Sequence, residues 1–170
     1  GQLGHGDVLS RHTPTPVAAL RQYTISQLSC GYRHSMVVSS EPMMTWAWGW
    51  GQHGQLGLGH WHDELLPQPL HSLAEVEVRK LCLGGRHSLA LCGDGRVYTW
   101  GRDEDGQLGL GAQGARCVPT AVDPLTTKSS SLLAASCGWA HTACLLRAHL
   151  RTSSEMSPPD AGGSPALWTQ

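Results

Sequence analysis

Apolar residues in this chain fall into short runs, roughly four to six positions long, set between stretches rich in glycine and polar residues. In the middle of the chain Val78 to Leu83 is one β-compatible run, Ser88 to Cys92 a second and Val97-Tyr98-Thr99-Trp100 a third. Asp94-Gly95, between the second and third, predicts a hairpin with a type I′ turn, whose two central residues both take positive φ. No helical period of 3.6 residues runs through these segments, so the pattern predicts strands.

The pattern recurs along the chain. Gly-Gln-Leu-Gly stands at Gly1 to Gly4, Gly54 to Gly57 and Gly106 to Gly109, with first glycines 53 and 52 residues apart. Behind each copy, at the same offsets, come a glycine (Gly6, Gly59, Gly111), a proline (Pro14, Pro67, Pro119), and two aliphatic positions (Val17, Leu70, Val122 and Leu20, Leu73, Leu125). Each unit closes on Gly-x-x-His and a hydroxyl: Gly31 to Ser35, Gly84 to Ser88, Gly138 to Thr142. The third arrives two residues late, which fits a small insertion in the loop-like run Ser129 to Ser131. Trp48-Gly49 and Trp100-Gly101 precede the next Gly-Gln-Leu-Gly at one spacing.

A fourth strand is predicted after each proline, starting at Val17, Leu70 and Val122, which gives four antiparallel strands per unit. Sheets of that size cannot bury both faces alone and must stack on one another; radial stacking of such sheets is a β-propeller. The expected fold is therefore all-β, with propeller units starting at Gly1, Gly54 and Gly106 over residues 1–146. Residues 147–170, rich in Ser, Pro and Gly, are expected to be a disordered or non-repeat tail, because no Trp-Gly follows His141. Gly54, Gly57 and Gly59 recur in every unit and are expected at positive φ or at close approaches.

The composite W-G-x4-G-Q-L-G-x-G, then a proline, then [C/L]-G-x-x-H-[S/T], resembles the repeat of the regulator of chromosome condensation family over roughly residues 1 to 146. The resemblance implies an incomplete propeller, about three blades of seven. The Asn expected in W-G-x-N is replaced by Gly51 and Asp103. It also implies a protein-interaction module that binds a protein partner through blade loops, with guanine nucleotide exchange on a small GTPase as the alternative. Weaker alternatives are an ultraviolet-B photoreceptor-like or a ubiquitin-ligase-associated propeller. The plant photoreceptor carries Gly-Trp-Arg-His-Thr motifs; here the segments read Gly31-Tyr32-Arg33-His34, Gly84-Gly85-Arg86-His87 and Gly138-Trp139-Ala140-His141.

Composition narrows the function. Net charge is -1 with a pI near 6.8 and only two lysines, Lys80 and Lys128, so the basic footprint that selects nucleic acid is missing. No run approaches the ~20 apolar residues of a membrane helix. Six cysteines without a C-x-x-C pair read as buried free thiols in a reducing compartment, cytoplasmic or nuclear. G-x-G-x-x-G occurs at Gly49 to Gly54 and Gly109 to Gly114, yet neither opens the helix that holds a pyrophosphate. No catalytic group, cofactor or metal site is expected. His34, His87 and His141, one per unit, read as scaffold residues bonding backbone at strand starts. His60-Trp61-His62-Asp63 has no counterpart in the other units and reads as surface, and Asp103-Glu104-Asp105 as a solvated run. Trp48 and Trp100 read as core anchors.

The variable pair inside each Gly-x-x-His is expected in a loop at one end of the propeller. Its occupants include Tyr32, Arg33, Arg86 and Trp139, residue types that dominate interface hot spots, and these four are the expected partner-binding residues. The chain starts within a repeat and is expected to be a piece of a longer protein whose open arc exposes sheet faces and edges. Sedimentation of the 170-residue chain should accordingly show self-association; a monodisperse monomer that melts cooperatively would count against an open arc.

Overall fold

The computed structural model of the chain describes residues 1–74, 76–111, 114–122, 130–148 and 166–169. Three antiparallel sheets follow one another. The first contains β1 (Ile25–Cys30), β2 (His34–Ser40), β3 (Met43–Gly49) and β4 (Glu64–Pro69), hydrogen-bonded in chain order. The second repeats this with β5 (Val78–Leu83), β6 (His87–Cys92), β7 (Val97–Gly101) and β8 (Arg116–Ala121). The third holds β9 (Ser130–Cys137), β10 (Thr142–Ala148) and β11 (Ala166–Thr169). Strands β1, β5 and β9 run beside one another from sheet to sheet, as the inner strands of stacked propeller blades do.

Strand β6 is buried at every position because a blade covers each of its faces. Ala90 and Cys92 join Met36, Val38, Leu81 and Trp100 in the core against the first blade. Leu89 and Leu91 join Val97, Val122, Ala135 and Cys144 in the core against the third. Each buried leucine contributes about 1.5–3 kcal/mol. A two-sided strand needs apolar residues on both faces, which Leu89 to Cys92 supply, while the buried polar His87 and Ser88 are met by hydrogen-bond partners.

Four local expectations are corrected. Asp94 does not take positive φ; Gly95 alone does, at +84°. Gly95 N–H donates to the Cys92 carbonyl and Asp94 Oδ1 accepts from Arg96 N, a three-residue loop rather than a type I′ turn. The outer strands contain the repeated prolines instead of following them: Pro67 lies in β4 and Pro119 in β8. An outermost strand has one edge outside the ladder, so it tolerates residues without an N–H. Leu70 and Leu73 instead bracket the 3-10 turn His71–Leu73, both 1% exposed. Ser130 and Ser131 do not loop but extend β9, paired with Ala148 and Arg147.

The fourth correction concerns the tail. Strand β11 pairs Thr169 with Ala143, Trp168 with Cys144 and Leu167 with Leu145. In the second blade Thr99, Tyr98 and Val97 face Leu89, Ala90 and Leu91 in the same order. Ala166–Thr169 thus occupies the third-strand register of a blade, while residues 149–165 and Gln170 lie outside the described residues, as does Leu125. Sheets and sequence units are also out of step. Strand β4 lies downstream of Gly54 to Gly57, so each of the first two sheets is completed by residues of the following sequence unit.

One hydrogen-bond pattern ties the blades together. The backbone carbonyl of Gln55 accepts from Trp100 Nε1 (2.9 Å) and from Ser88 Oγ (2.8 Å). Ser88 Oγ, having donated its hydrogen, accepts from His34 Nε2 of the preceding blade at 3.0 Å. Gln107 accepts Thr142 Oγ1 at 2.9 Å and His87 Nε2 meets that hydroxyl at 3.1 Å. Gln2 accepts Ser35 Oγ and Trp48 Nε1, both at 2.9 Å. His34 and His87 therefore bond side-chain hydroxyls of the next blade where backbone partners were expected, and the tryptophans are the anchors expected.

This arrangement fixes the Nε2–H tautomer and leaves Nδ1 of His34 and His87 buried without a partner. A proton there would be a buried, unpaired charge. Burial accordingly holds His34 down to about 3 and His87 down to about 4, each lowered further by the next histidine. An open chain protonates histidine near pH 6.5, so between that value and the depressed ones the unfolded state binds more protons and stability falls as pH falls. Melting temperature should therefore drop steadily from about pH 7 to about pH 4. His34→Gln with His87→Gln, which keep a donor but do not titrate, should flatten that profile; an unchanged slope would remove the histidines as its cause.

Gly57 sits at φ +74° with its absent Cβ 2.7 Å from Trp100 Nε1, whereas Gly111, at φ +70°, has nothing within 4 Å. Gly57→Ala should cost about 1–2 kcal/mol more than Gly111→Ala in urea denaturation. Equal losses would mean that the approach to the indole is not what demands glycine.

Candidate aromatic and guanidinium face

The Gly-x-x-His loops and the β3–β4 and β7–β8 loops all emerge at one end of the sheets, because antiparallel order returns β3 to the end where β2 began. Each Gly-x-x-His loop is closed by its own glycine N–H bonding the histidine carbonyl, at 2.9 Å for Gly31 to His34, Gly84 to His87 and Gly138 to His141. Consecutive loops are joined through backbone, Tyr32 N to Gly84 O at 3.2 Å and Gly85 N to Trp139 O at 3.0 Å.

All four expected partner-binding residues lie on this end. Tyr32 and Trp139 belong to blades one and three, yet their rings meet edge to face with centroids 4.6 Å apart. Gly85 makes this contact possible. A Cβ there would stand 2.7 Å from the Trp139 carbonyl and 3.0 Å from its ring, so only glycine leaves the indole room to lie across the second blade. Both rings remain open to solvent, Tyr32 51% and Trp139 55% exposed.

The two arginines converge on a residue missed among the expected site residues. Trp50 opens the β3–β4 loop, its N–H bonded to the Arg33 carbonyl at 2.8 Å. Arg33 lies 5.6 Å and Arg86 5.4 Å from the Trp50 ring centroid, and Arg33 also stands 5.1 Å from the Tyr32 ring. Such contacts contribute about 0.5–1 kcal/mol at exposed sites. The signal for Trp50 was its break with the repeat: the same slot of the next unit holds Arg102, whose N–H bonds the Arg86 carbonyl at 2.9 Å. Arg102 pairs with Glu104 and with Asp105 at 3.2 Å, while among the described residues Arg33 and Arg86 pair with no carboxylate.

His53 stacks edge-on against Trp50 at 4.8 Å, its pKa lowered by burial and then by Arg86 and Arg102. Glu104 is held below the usual carboxylate range by the Arg102 hydrogen bond. Asp103 departs from the solvated reading: it is 3% exposed and its Oδ1 accepts Leu108 N at 3.0 Å.

Elsewhere on the same end, His60 and His62 stack with centroids 3.6 Å apart. The carboxylate they share is Glu64, not the neighbouring Asp63, whose Oδ1 accepts Gly51 N. All six cysteines are free. Burial raises Cys92 and Cys137 to about 12, which keeps them as inert thiols. Cys30 differs from the buried reading and is exposed, on a side of β1 that no described residue covers. No helix among the described residues is long and apolar enough to cross a membrane.

Residues 1–38, 44–91 and 94–145 match the Regulator of chromosome condensation (RCC1) repeat, and residues 78–107 match a second form of it. The chain belongs to this family. Among its relatives is the Ultraviolet-B receptor UVR8 of Arabidopsis thaliana, 37% identical over 145 residues, covering 85% of this chain and 32% of that protein. Another is the Probable E3 ubiquitin-protein ligase HERC6 of Homo sapiens, 33% identical over 149 residues, covering 85% of this chain and 14% of that protein. The chain thus spans a third or less of these relatives.

Human WBSCR16 superposes with TM-score 0.63 at 25% identity, over 84% of this chain and 37% of that one. Prp20p of Saccharomyces cerevisiae, a structure described together with its binding to Gsp1p and histones, superposes with TM-score 0.60 at 22% identity, over 70% of this chain and 30% of that one. The chain is an RCC1-like propeller module.

Proposed function

We propose that this RCC1 module binds a protein partner through the loop end, with Tyr32, Arg33, Arg86 and Trp139 as contact residues and Trp50 between the two guanidinium groups. The observation that carries the reading is the pairing of two half-exposed aromatic rings across a glycine gap, beside two arginines that no described carboxylate neutralises. Large rings with few rotatable bonds and cations held over an indole are what interface hot spots are built from. The related yeast Prp20p, described with its binding to Gsp1p and histones, supports a protein as the ligand class. An intracellular location goes with this reading.

A double variant tests it. Arg33→Ala with Arg86→Ala should weaken partner capture by about 2 kcal/mol or more while the chain still melts cooperatively, since among the described residues the two side chains contribute to the scaffold only the contacts with Tyr32 and Trp50, about 0.5–1 kcal/mol each. Undiminished capture, or loss of folding, would return these arginines to the scaffold. Release of labelled guanine nucleotide from small GTPases by the wild-type chain, lost in the double variant, would specify exchange as the form of the interaction. A second reading, ultraviolet-B sensing, is favoured by Trp50 lying against both arginines and by the relative named as an ultraviolet-B receptor. It requires irradiation to change the assembly state of the wild-type chain but not of Trp50→Phe.

A further inference from the structure

The β3–β4 loop returns to the sheet through three groups that the partner face does not use. His60 Nε2 lies 3.5 Å and His62 Nδ1 3.3 Å from one oxygen, Glu64 Oε1, and the three donor atoms all lie within 4.8 Å of one another. Glu64 opens β4 and is fixed in register opposite Gly49. The side chains of His60 and Glu64 are mostly covered, at 30% and 20% exposure, whereas that of His62 is 67% exposed. Two imidazole nitrogens and a carboxylate oxygen are thereby gathered within reach of a single ion.

We infer that His60, His62 and Glu64 bind one divalent cation of the zinc type, leaving its fourth position open to water. Zinc takes imidazole nitrogen at about 2.0–2.1 Å and carboxylate oxygen at about 2.0–2.2 Å. In a tetrahedron with such bonds, neighbouring ligand atoms stand roughly 3.4 Å apart, which matches the two separations to Glu64 Oε1. The third separation closes by movement of the exposed ligand. The His60 and His62 rings are parallel to within 4° and stacked, so they cannot both present an in-plane lone pair to one ion as they stand. Rotation of the His62 ring about its Cβ–Cγ bond brings its Nδ1 onto the ion from the solvent side, while His60 and Glu64 stay in place. Asp63 does not compete, because its Oδ1 accepts the Gly51 N–H at 3.0 Å.

The donor set favours zinc over calcium or magnesium. Imidazole suits borderline cations, and the harder ions take oxygen ligands. The six free thiols are the competing ligands, and those of Cys92 and Cys137 are kept protonated by burial.

The test uses zinc and cobalt salts with the full 170-residue chain. Calorimetric titration with zinc should show one saturable site per chain. Cobalt should give the intense visible absorption of tetrahedral coordination without thiolate charge transfer in the near ultraviolet. His62→Ala and Glu64→Gln should each weaken zinc binding about tenfold or more, with unchanged far-ultraviolet circular dichroism. Because His62 is exposed, its variant keeps the test readable even if Glu64→Gln disturbs β4. Equal zinc affinity in wild type and His62→Ala would overturn the inference. So would a thiolate band with cobalt, or no saturable binding up to millimolar zinc.

Discussion

The carbonyl oxygen of the glutamine in each Gly-Gln-Leu-Gly holds the blade that follows it in the same sequence unit. It is buried in the second copy, where Gln55 is 0% exposed, and an unsatisfied buried carbonyl would cost about 1–3 kcal/mol. Two donors meet it instead, an indole N–H and a hydroxyl, and the hydroxyl then receives the imidazole of the neighbouring blade. Four repeated residue types, separated widely in sequence, are thereby one device. Removing the hydroxyl orphans the buried His34 Nε2–H and leaves the carbonyl with one donor, and this loss exceeds the ~1 kcal/mol of a single neutral hydrogen bond.

That device also decides what reaches solvent. With the glycine of each Gly-x-x-His bonded to the histidine carbonyl and the His34 and His87 imidazoles committed to the next blade, the two middle residues are the ones free to differ. Their backbone is pinned from loop to loop, so Tyr32, Arg33, Arg86 and Trp139 project from a rigid support. Rigid presentation of aromatic and guanidinium groups lowers the ordering cost of binding.

Much of this was legible in the sequence. Strands β5 to β7 could be read from apolar runs and from Asp94-Gly95, since a strand covered on both faces carries apolar residues on both, as Leu89 to Cys92 do. The outer strand was misplaced because proline reads as a break, whereas an edge strand accepts it. Leu70 and Leu73 looked like a strand start because spacing alone does not separate a 3-10 turn from a short apolar run. Trp50 and Glu64 were hidden for another reason. Each acts through residues distant in sequence or outside its motif, and a repeat comparison discards such positions as exceptions. Strand β11 escaped because only its Leu-Trp-Thr core echoes Val97-Tyr98-Thr99, with no Trp-Gly to mark it.

The offset between sheets and sequence units bears on how such an array can change in length. Each of the first two sheets takes its outer strand from beyond the next Gly-Gln-Leu-Gly, so the repeat boundary falls inside a sheet and not between sheets. Duplication or deletion of one whole unit, by recombination between identical motifs, joins an inner set of three strands to an equivalent outer strand. The hydrogen-bonded glutamine, tryptophan and hydroxyl positions are carried along in phase. Blade number can therefore vary while every sheet within the array stays complete, and the family's structure tolerates unequal exchange at the very motif that defines it.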